Sequence, residues 1–221
     1  MRQKILVSWS GGKDSAWALH MLRQQGRYEL AGLVTTVNSV FQRVAIHGFR
    51  TELLEMQAGR VGLPLTTVAL PYPCSNEAYE AAMNGCFAAA KASGITGVAF
   101  GDLFLEDIRA YREVQLGRAG LEPVFPVWGL ETCALAHEML GSGLRARITC
   151  VDLARLESSF AGREFDDRLL ADFPPGTDPC GERGEFHTFA YAGPMFSSAI
   201  AIETGGLVER EGVAYADLTA C

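Results

Sequence analysis

Short apolar runs alternate with longer amphipathic stretches across the first 130 residues, and this alternation limits the fold more than any other feature. Residues 4–8, 30–36, 65–69, 97–100 and 123–127 read as buried strands. Between them, 13–25, 51–61, 76–93 and 107–119 carry the apolar spacing of helices. Ser75 or Asn76 supplies the cap of the alanine-rich third helix. Parallel strands cannot be joined by a tight turn, so this rhythm predicts an α/β fold with a parallel sheet covered on both faces.

After Gly129 the pattern changes, and a second, smaller α+β domain is expected over 130–221, following a first domain over 1–129. It reads as a helix (131–140), a strand (145–151), a charged helix (163–172) and a break at 173–179 containing Pro174, Pro175, Gly176 and Pro179. Antiparallel strands follow at 186–191, 198–204, 207–211 and 213–218, with Gly205-Gly206 and Glu211-Gly212 as hairpin turns.

Composition narrows the partners. The net charge is −7 and the pI about 5.1, which disfavours a nucleic-acid backbone as the main ligand, since phosphate neutralisation supplies most of that affinity. Hydrophobic residues make up 48% and charged residues 20%, as in a soluble globular protein. No run approaches the ~18 apolar residues of a membrane helix, and Ile5-Leu6-Val7 is too short for a secretory signal, so a cytoplasmic location is expected. The six cysteines form no CxxC pair and no zinc-like cluster. Nothing in the sequence fixes the oligomeric state, and a homodimer stays open.

In parallel sheets, ligands sit beyond the carboxyl ends of the strands. The loops 8–15, 35–47 and 101–109 are therefore the places to look for function. The first contains Ser10-Gly11-Gly12-Lys13-Asp14-Ser15, directly between a strand and a helix. A helix start offers unpaired N–H groups to an anion, two glycines let a phosphate approach the backbone, and Lys13 adds charge. The spacing departs from GxxxxGK[ST], which needs glycine where Val7 stands and a hydroxyl residue where Asp14 stands. A GxGxxA at 141–146 follows a helix and reads as a turn.

The Ser-Gly-Gly-Lys-Asp-Ser loop resembles the pyrophosphate loop of the ATP pyrophosphatase superfamily. That resemblance implies ATP binding, a sheet of the adenine nucleotide alpha hydrolase (Rossmann-like) type, and cleavage between the α- and β-phosphates. Charge growing on a pyrophosphate leaving group calls for backbone donors, a lysine and Mg²⁺. Asp14 and Asp102 are the nearest candidate metal carboxylates, and Asp14 reads equally as an acid complementing the helix dipole.

A second dense block, Cys180-Gly181-Glu182-Arg183-Gly184-Glu185-Phe186-His187-Thr188, lies between the proline-rich break and a strand. With the first loop, Gly101-Asp102, Arg109, Glu113, Pro123, Trp128, Pro194 and Phe196, it is similar to the diphthine–ammonia ligase family over nearly the whole chain. The resemblance implies an ATP-dependent ligase that adenylates a carboxylate and then forms an amide with ammonia. It places Thr35 and Thr36 at the adenine and ribose, His47 in a loop closing over ATP, Gly101 and Asp102 at the nucleotide, and Glu182, Glu185 and His187 at the acceptor. Eukaryotic and archaeal members carry an acid where His187 stands; the form here is similar to bacterial relatives, which implies a small-molecule or protein acceptor other than diphthine.

Other residues read both ways. Arg109 and Glu113 fall four apart and pair on one helix face, or Arg109 reaches a phosphate. Cys180 has no partnered base in the sequence and reads as pocket wall. His20 and His137 fall within helical patterns and read as structural. Two competing functions are a tRNA sulfur-transfer enzyme, which would want a cysteine pair and a basic surface, and an ATP-sensing module, which would not need so many ionisable groups in the second block.

Overall fold

The computed structural model describes residues 2–41, 43–44 and 48–221. In chain order the first part contains β1 (Gln3–Ser8), α1 (Lys13–Gln25), β2 (Tyr28–Asn38), β3 (Arg43–Val44), α2 (Thr51–Val61), β4 (Leu65–Leu70), α3 (Asn76–Ala92), β5 (Gly97–Ala99), α4 (Glu106–Ala119) and β6 (Glu122–Val124). Five of these strands run parallel in the order β4-β2-β1-β5-β6, and β3 adds a short antiparallel pairing to the end of β2. Strand order reverses between β1 and β5. Crossovers depart in opposite directions from that point, so a crevice opens beyond their carboxyl ends.

Both faces of the sheet are buried because both alternate positions of its strands are apolar. Ile5, Val7 and Leu33 pack with Trp17, Leu19 and Leu22 of α1 and Leu53, Leu54 and Val61 of α2. Leu6, Val34, Val68 and Val98 turn the other way, onto Met83 and Phe87 of α3 and Leu116 of α4. Each such side chain, fully buried, stabilises the fold by about 1.5–3 kcal/mol.

The rest of the chain forms α5 (Thr132–Gly141), β7 (Arg145–Asp152), α6 (Asp167–Asp172), β8 (Phe186–Ala192), β9 (Ile202–Arg210) and β10 (Val213–Ala220). Its antiparallel sheet has the order β8-β7-β10-β9. Ile148, Phe189 and Ala216 of that sheet belong to the same apolar cluster as α1 and α2, so β8 lies against the start of α1. Among the described residues no helix is long and apolar enough to cross a membrane.

Several sequence expectations change. Residues 198–201 are not strand, and 202–210 form one strand that runs through Gly205-Gly206. These glycines are a bulge opposite Asp217: pairing shifts between Ala216 and Leu218, and a Cβ on Gly205 would lie 3.3 Å from the Asp217 carbonyl oxygen. Glu211 and Gly212 do form the hairpin turn, with φ of 54° and 79°. The charged helix shortens to α6 because Asp166 caps it, its carboxylate accepting from Leu169 N at 2.8 Å. The strand expected over 123–127 reduces to three residues at the sheet edge, where Pro123 costs no ladder bond to a further strand. Ser75, rather than Asn76, caps α3 by accepting from Ala78 N at 3.2 Å.

Candidate functional site

The glycine loop fills the crevice floor. Gly11 has φ of 78°, and a Cβ there would overlap the Phe49 ring and lie 2.8 Å from Gln57 Oε1. Only glycine lets the loop sit this tightly. Its carbonyl accepts from Ala190 N of β8 at 2.9 Å and from Gln57 Nε2 at 2.8 Å. Gln57 is fully buried and uses its whole amide: Oε1 accepts from Trp9 Nε1 at 2.9 Å, and Nε2 also donates to the Ala190 carbonyl at 2.6 Å. On the other side, Gly101 abuts the loop so closely that a Cβ would lie 2.8 Å from the Asp14 carbonyl carbon. This contact sets Asp102 beside the start of α1.

Lys13 is buried and joins the two halves of the chain. Its backbone N–H donates to Thr188 Oγ1 at 3.0 Å. Its ammonium bonds Asp14 Oδ2 at 2.9 Å and the Cys180 carbonyl oxygen, with the Phe186 ring 5.2 Å away. Burial lowers the Lys13 pKa, but the groups around it, Asp14 foremost with Cys180 and Glu182, together outweigh it and hold the ammonium above its ordinary value.

The second loop spends its acids largely on itself. Asp178 accepts from Cys180 N at 3.2 Å through Oδ1 and from Glu182 N at 3.0 Å through Oδ2. Glu185 accepts from Asp178 N and Arg183 N, each at 3.1 Å. Glu182 reaches across to accept from Leu103 N at 2.8 Å. Burial, with Asp14 and Asp102 nearby, pushes Glu182 up to about 7. Burial, with Lys13 nearby, pulls His187 down to about 4, so its imidazole is neutral at pH 7. Burial drives the Cys180 thiol far up, and Sγ donates to the Thr132 carbonyl at 3.4 Å, so this sulfur is no ready nucleophile.

A cavity of about 510 Å³ results. Of the residues expected to bind or react, Ser10, Lys13, Asp14, Ser15, Thr35, Thr36, Gly101, Asp102, Glu182 and His187 line it. Gly11 and Gly12 shape the loop from behind rather than facing the space, and Glu185 is buried within its own loop. His47 lies outside the described residues. Arg109 does not line the cavity: it pairs with Glu113 at 2.8 Å and stacks 4.8 Å from the Trp128 ring. His20 and His137 sit on helices away from it.

Three contributors were not singled out by sequence reasoning. Gln57 falls within the buried Leu53, Leu54, Ala58, Val61 stripe of α2, and a polar residue in such a stripe is a readable signal. Asp178 lies in the proline-rich break, where acids are ordinary. Arg112 lines the cavity one helical step from Arg109 and carried no signal of its own.

Two carboxylate oxygens in the crevice, Asp14 Oδ1 and Asp102 Oδ2, are buried without a hydrogen-bond partner among the described residues. Hard-cation oxygen ligands have this character, although no group of three or more His, Cys, Asp or Glu side chains among those residues forms a protein-only metal cage. All six cysteines are free.

The strand order and the loop at its reversal point define an α/β protein of the adenine nucleotide alpha hydrolase type, with a second sheet closing its crevice. Comparison with known proteins takes this further. The family model for the diphthamide synthase N-terminal domain matches residues 3–123, and that for the diphthamide synthase C-terminal domain matches residues 131–216. The chain is 24% identical over 242 residues to the diphthine–ammonia ligases of Bos taurus and Homo sapiens, covering 98% of this chain and 88% of each relative. It is 30% identical to the Danio rerio diphthine–ammonia ligase over 128 residues, 55% of this chain and 50% of that relative. The chain belongs to the diphthamide synthase family.

Proposed function

We propose that this protein is an ATP-dependent, AMP-forming ligase that adenylates a carboxylate and converts it to an amide with ammonia. The carrying observation is the Ser10–Ser15 loop at the strand-reversal point, which lines one cavity together with Asp102 and in which Asp14 Oδ1 has no hydrogen-bond partner among the described residues. In this reading residues 1–129 hold the nucleotide, and 130–221 complete the acceptor side through Glu182 and His187. Ser10, Ser15 and the first turn of α1 bind the β- and γ-phosphates, while Thr35 and Thr36 meet the adenosine. Asp14 and Asp102 would hold Mg²⁺ together with phosphate oxygens. The metal would supply charge neutralisation at the leaving pyrophosphate.

The acceptor carboxylate oxygen forms a bond to the α-phosphorus as the bond to the β-phosphate oxygen breaks, releasing pyrophosphate. Ammonia then bonds to the acyl carbon, AMP leaves, and a proton is lost from nitrogen. Glu182, with a pKa near 7, is suited to take that proton. His187, neutral and charge-free, can hydrogen-bond the acceptor without drawing its carboxylate into an ion pair. The buried Cys180 thiol gives no support to sulfur transfer.

Incubation with ATP, Mg²⁺, ammonium and a pool of carboxylic acids should yield AMP and pyrophosphate. ADP and phosphate as the main products would sink this reading.

A further inference from the structure

A second cavity of about 430 Å³ opens beside the crevice, where the ends of β2 and β3 meet the β9–β10 hairpin. Its volume falls in the range of small-ligand sites. Phe41, Val44, Tyr72, Val208 and Tyr215 give it three rings and two aliphatic groups. Phe41, Tyr72 and Val208 are exposed, so this apolar surface faces solvent. Most of the polar groups around it are already engaged. Arg43 donates to Asp217 Oδ1 at 3.0 Å and to the Gly48 carbonyl at 2.6 Å, and Arg50 donates to Asp217 Oδ2 at 2.6 Å. Asn38 Oδ1 accepts from Val40 N and Phe41 N, and the Arg210 guanidinium lies over the Phe41 ring at 5.4 Å. What is left for a ligand is chiefly ring and aliphatic surface, which suits a flat apolar group.

Position ties this cavity to the crevice. The two share Val44 as a wall. Thr36 lines the crevice, and Asn38, two residues along β2 and on the same face, lines the second cavity. Leu70 and Tyr72 repeat that division at the end of β4. The second sheet adds another link. His187 of β8 pairs with Cys150 of β7, which pairs with Tyr215 of β10. Residues directly opposite in antiparallel strands share a face. His187, in the crevice, and Tyr215, in the second cavity, therefore stand in one row, two strand spacings or about 10 Å apart. The Tyr215 ring is held there by the Gly48 backbone, where a Cβ would lie 2.9 Å from Cδ1. We propose that the second cavity receives the ring-bearing apolar body of the acceptor, whose carboxylate reaches the crevice through a flexible spacer. This assignment rests on the ligase reading above and deepens it by naming the substrate class, arylalkanoic acids.

The test is calorimetric titration of two neutral product analogues, ω-phenylhexanamide and hexanamide, which share head and spacer and differ only in the ring. An amide carries no charge into a crevice lined by Asp14, Asp102 and Glu182. The phenyl compound should bind the wild type at least about tenfold more tightly, and saturating AMP should leave that margin intact. Phe41→Ala, which removes a wall, and Val208→Trp, which fills the space from an exposed position, should each cut the margin to about threefold or less. Hexanamide and AMP affinities should stay within about twofold in both variants. Equal affinity for the two amides, or a ring preference that survives both substitutions, means that the ring lies elsewhere. Loss of the preference on adding AMP means that the cavity belongs to the nucleotide, and a parallel fall in AMP affinity means a shared or distorted site. Each of these results overturns the proposal. The ring comparison does not depend on turnover: ADP formation in the product assay would defeat the ligase reading and leave the ring preference standing, so the two fail separately.

Discussion

The loops at Ser10–Ser15 and Asp178–Thr188 are both rich in glycine and charge, yet they use their acids differently. The first bonds its serine hydroxyls to each other and to the Gly12 backbone but leaves Asp14 Oδ1 without a hydrogen-bond partner among the described residues, and Ser10, Asp14 and Ser15 line the space. The second turns most of its polar atoms inward, with Asp178 and Glu185 each accepting from two backbone N–H groups of the same segment. A crevice that must receive a highly charged ligand needs one wall with unspent polar capacity and another that holds its shape. Lys13 connects the two, since its main chain bonds Thr188 and its side chain bonds Asp14 and the Cys180 carbonyl.

Breaking that connection should have the largest effect. Lys13→Ala leaves Asp14 without its buried partner and should destabilise the fold by about 3–5 kcal/mol in urea denaturation. Pyrophosphate release should fall roughly 10²–10³-fold, the usual loss on removing one preorganised charge-stabilising group. Unchanged turnover would remove Lys13 from the mechanism. Asp178→Ala strikes the self-bonded loop alone. It should cost about 1.5–3 kcal/mol, the range for hydrogen bonds to a charged acceptor. AMP affinity should shift by no more than about twofold if the two loops act independently; a larger shift would show that the second loop also shapes the nucleotide end.

Titration sharpens the same contrast within the second loop. Folded Glu182 keeps its proton up to about 7, while the unfolded chain releases it near 4.5. Its contribution to stability is therefore present below pH 4.5 and is lost as pH rises to about 7. His187 has the opposite sign: the unfolded chain takes up a proton near 6.5, the folded one near 4, so stability is lost as pH falls through that window. Relative to wild type, Glu182→Gln should gain melting temperature as pH rises from 4.5 to 7, and His187→Gln should gain as pH falls from 6.5 to 4. Melting curves that stay parallel to wild type across pH would contradict both environments. Smallest of all is Arg183→Ala. Its side chain is on the surface over Phe104 at 5.6 Å, so stability should move by less than about 0.5 kcal/mol with AMP binding unchanged.

Much of the fold was legible because its strands are short, apolar and separated by amphipathic helices. β1, α1, α2 and β4 fall within a residue of where the periodicity places them. The Gly205-Gly206 bulge was not legible, because two glycines supply the same backbone freedom to a bulge as to a hairpin turn, and only the pairing with β10 distinguishes them. Likewise Asp166 starts the charged helix late, as its N-cap, from a position where an acid could equally sit on a helix surface.

The candidate site divides along the same line. The sequence by itself marked the Ser10–Ser15 loop as the candidate anion site, since glycines, lysine and hydroxyls at a strand-to-helix junction have local physical consequences. It also marked Asp102 and the Cys180–Thr188 block as dense in chemistry. Only tertiary structure decided which of those groups face the cavity. Glu182 and Glu185 stand three residues apart in one block, yet the first lines the crevice and the second is buried in its own loop. Arg109 and Arg112 stand on one helix, yet the first pairs outward and the second meets Asp102. Residue type sets what a side chain can do; its neighbours across the fold decide whether that capacity is consumed or left for a ligand.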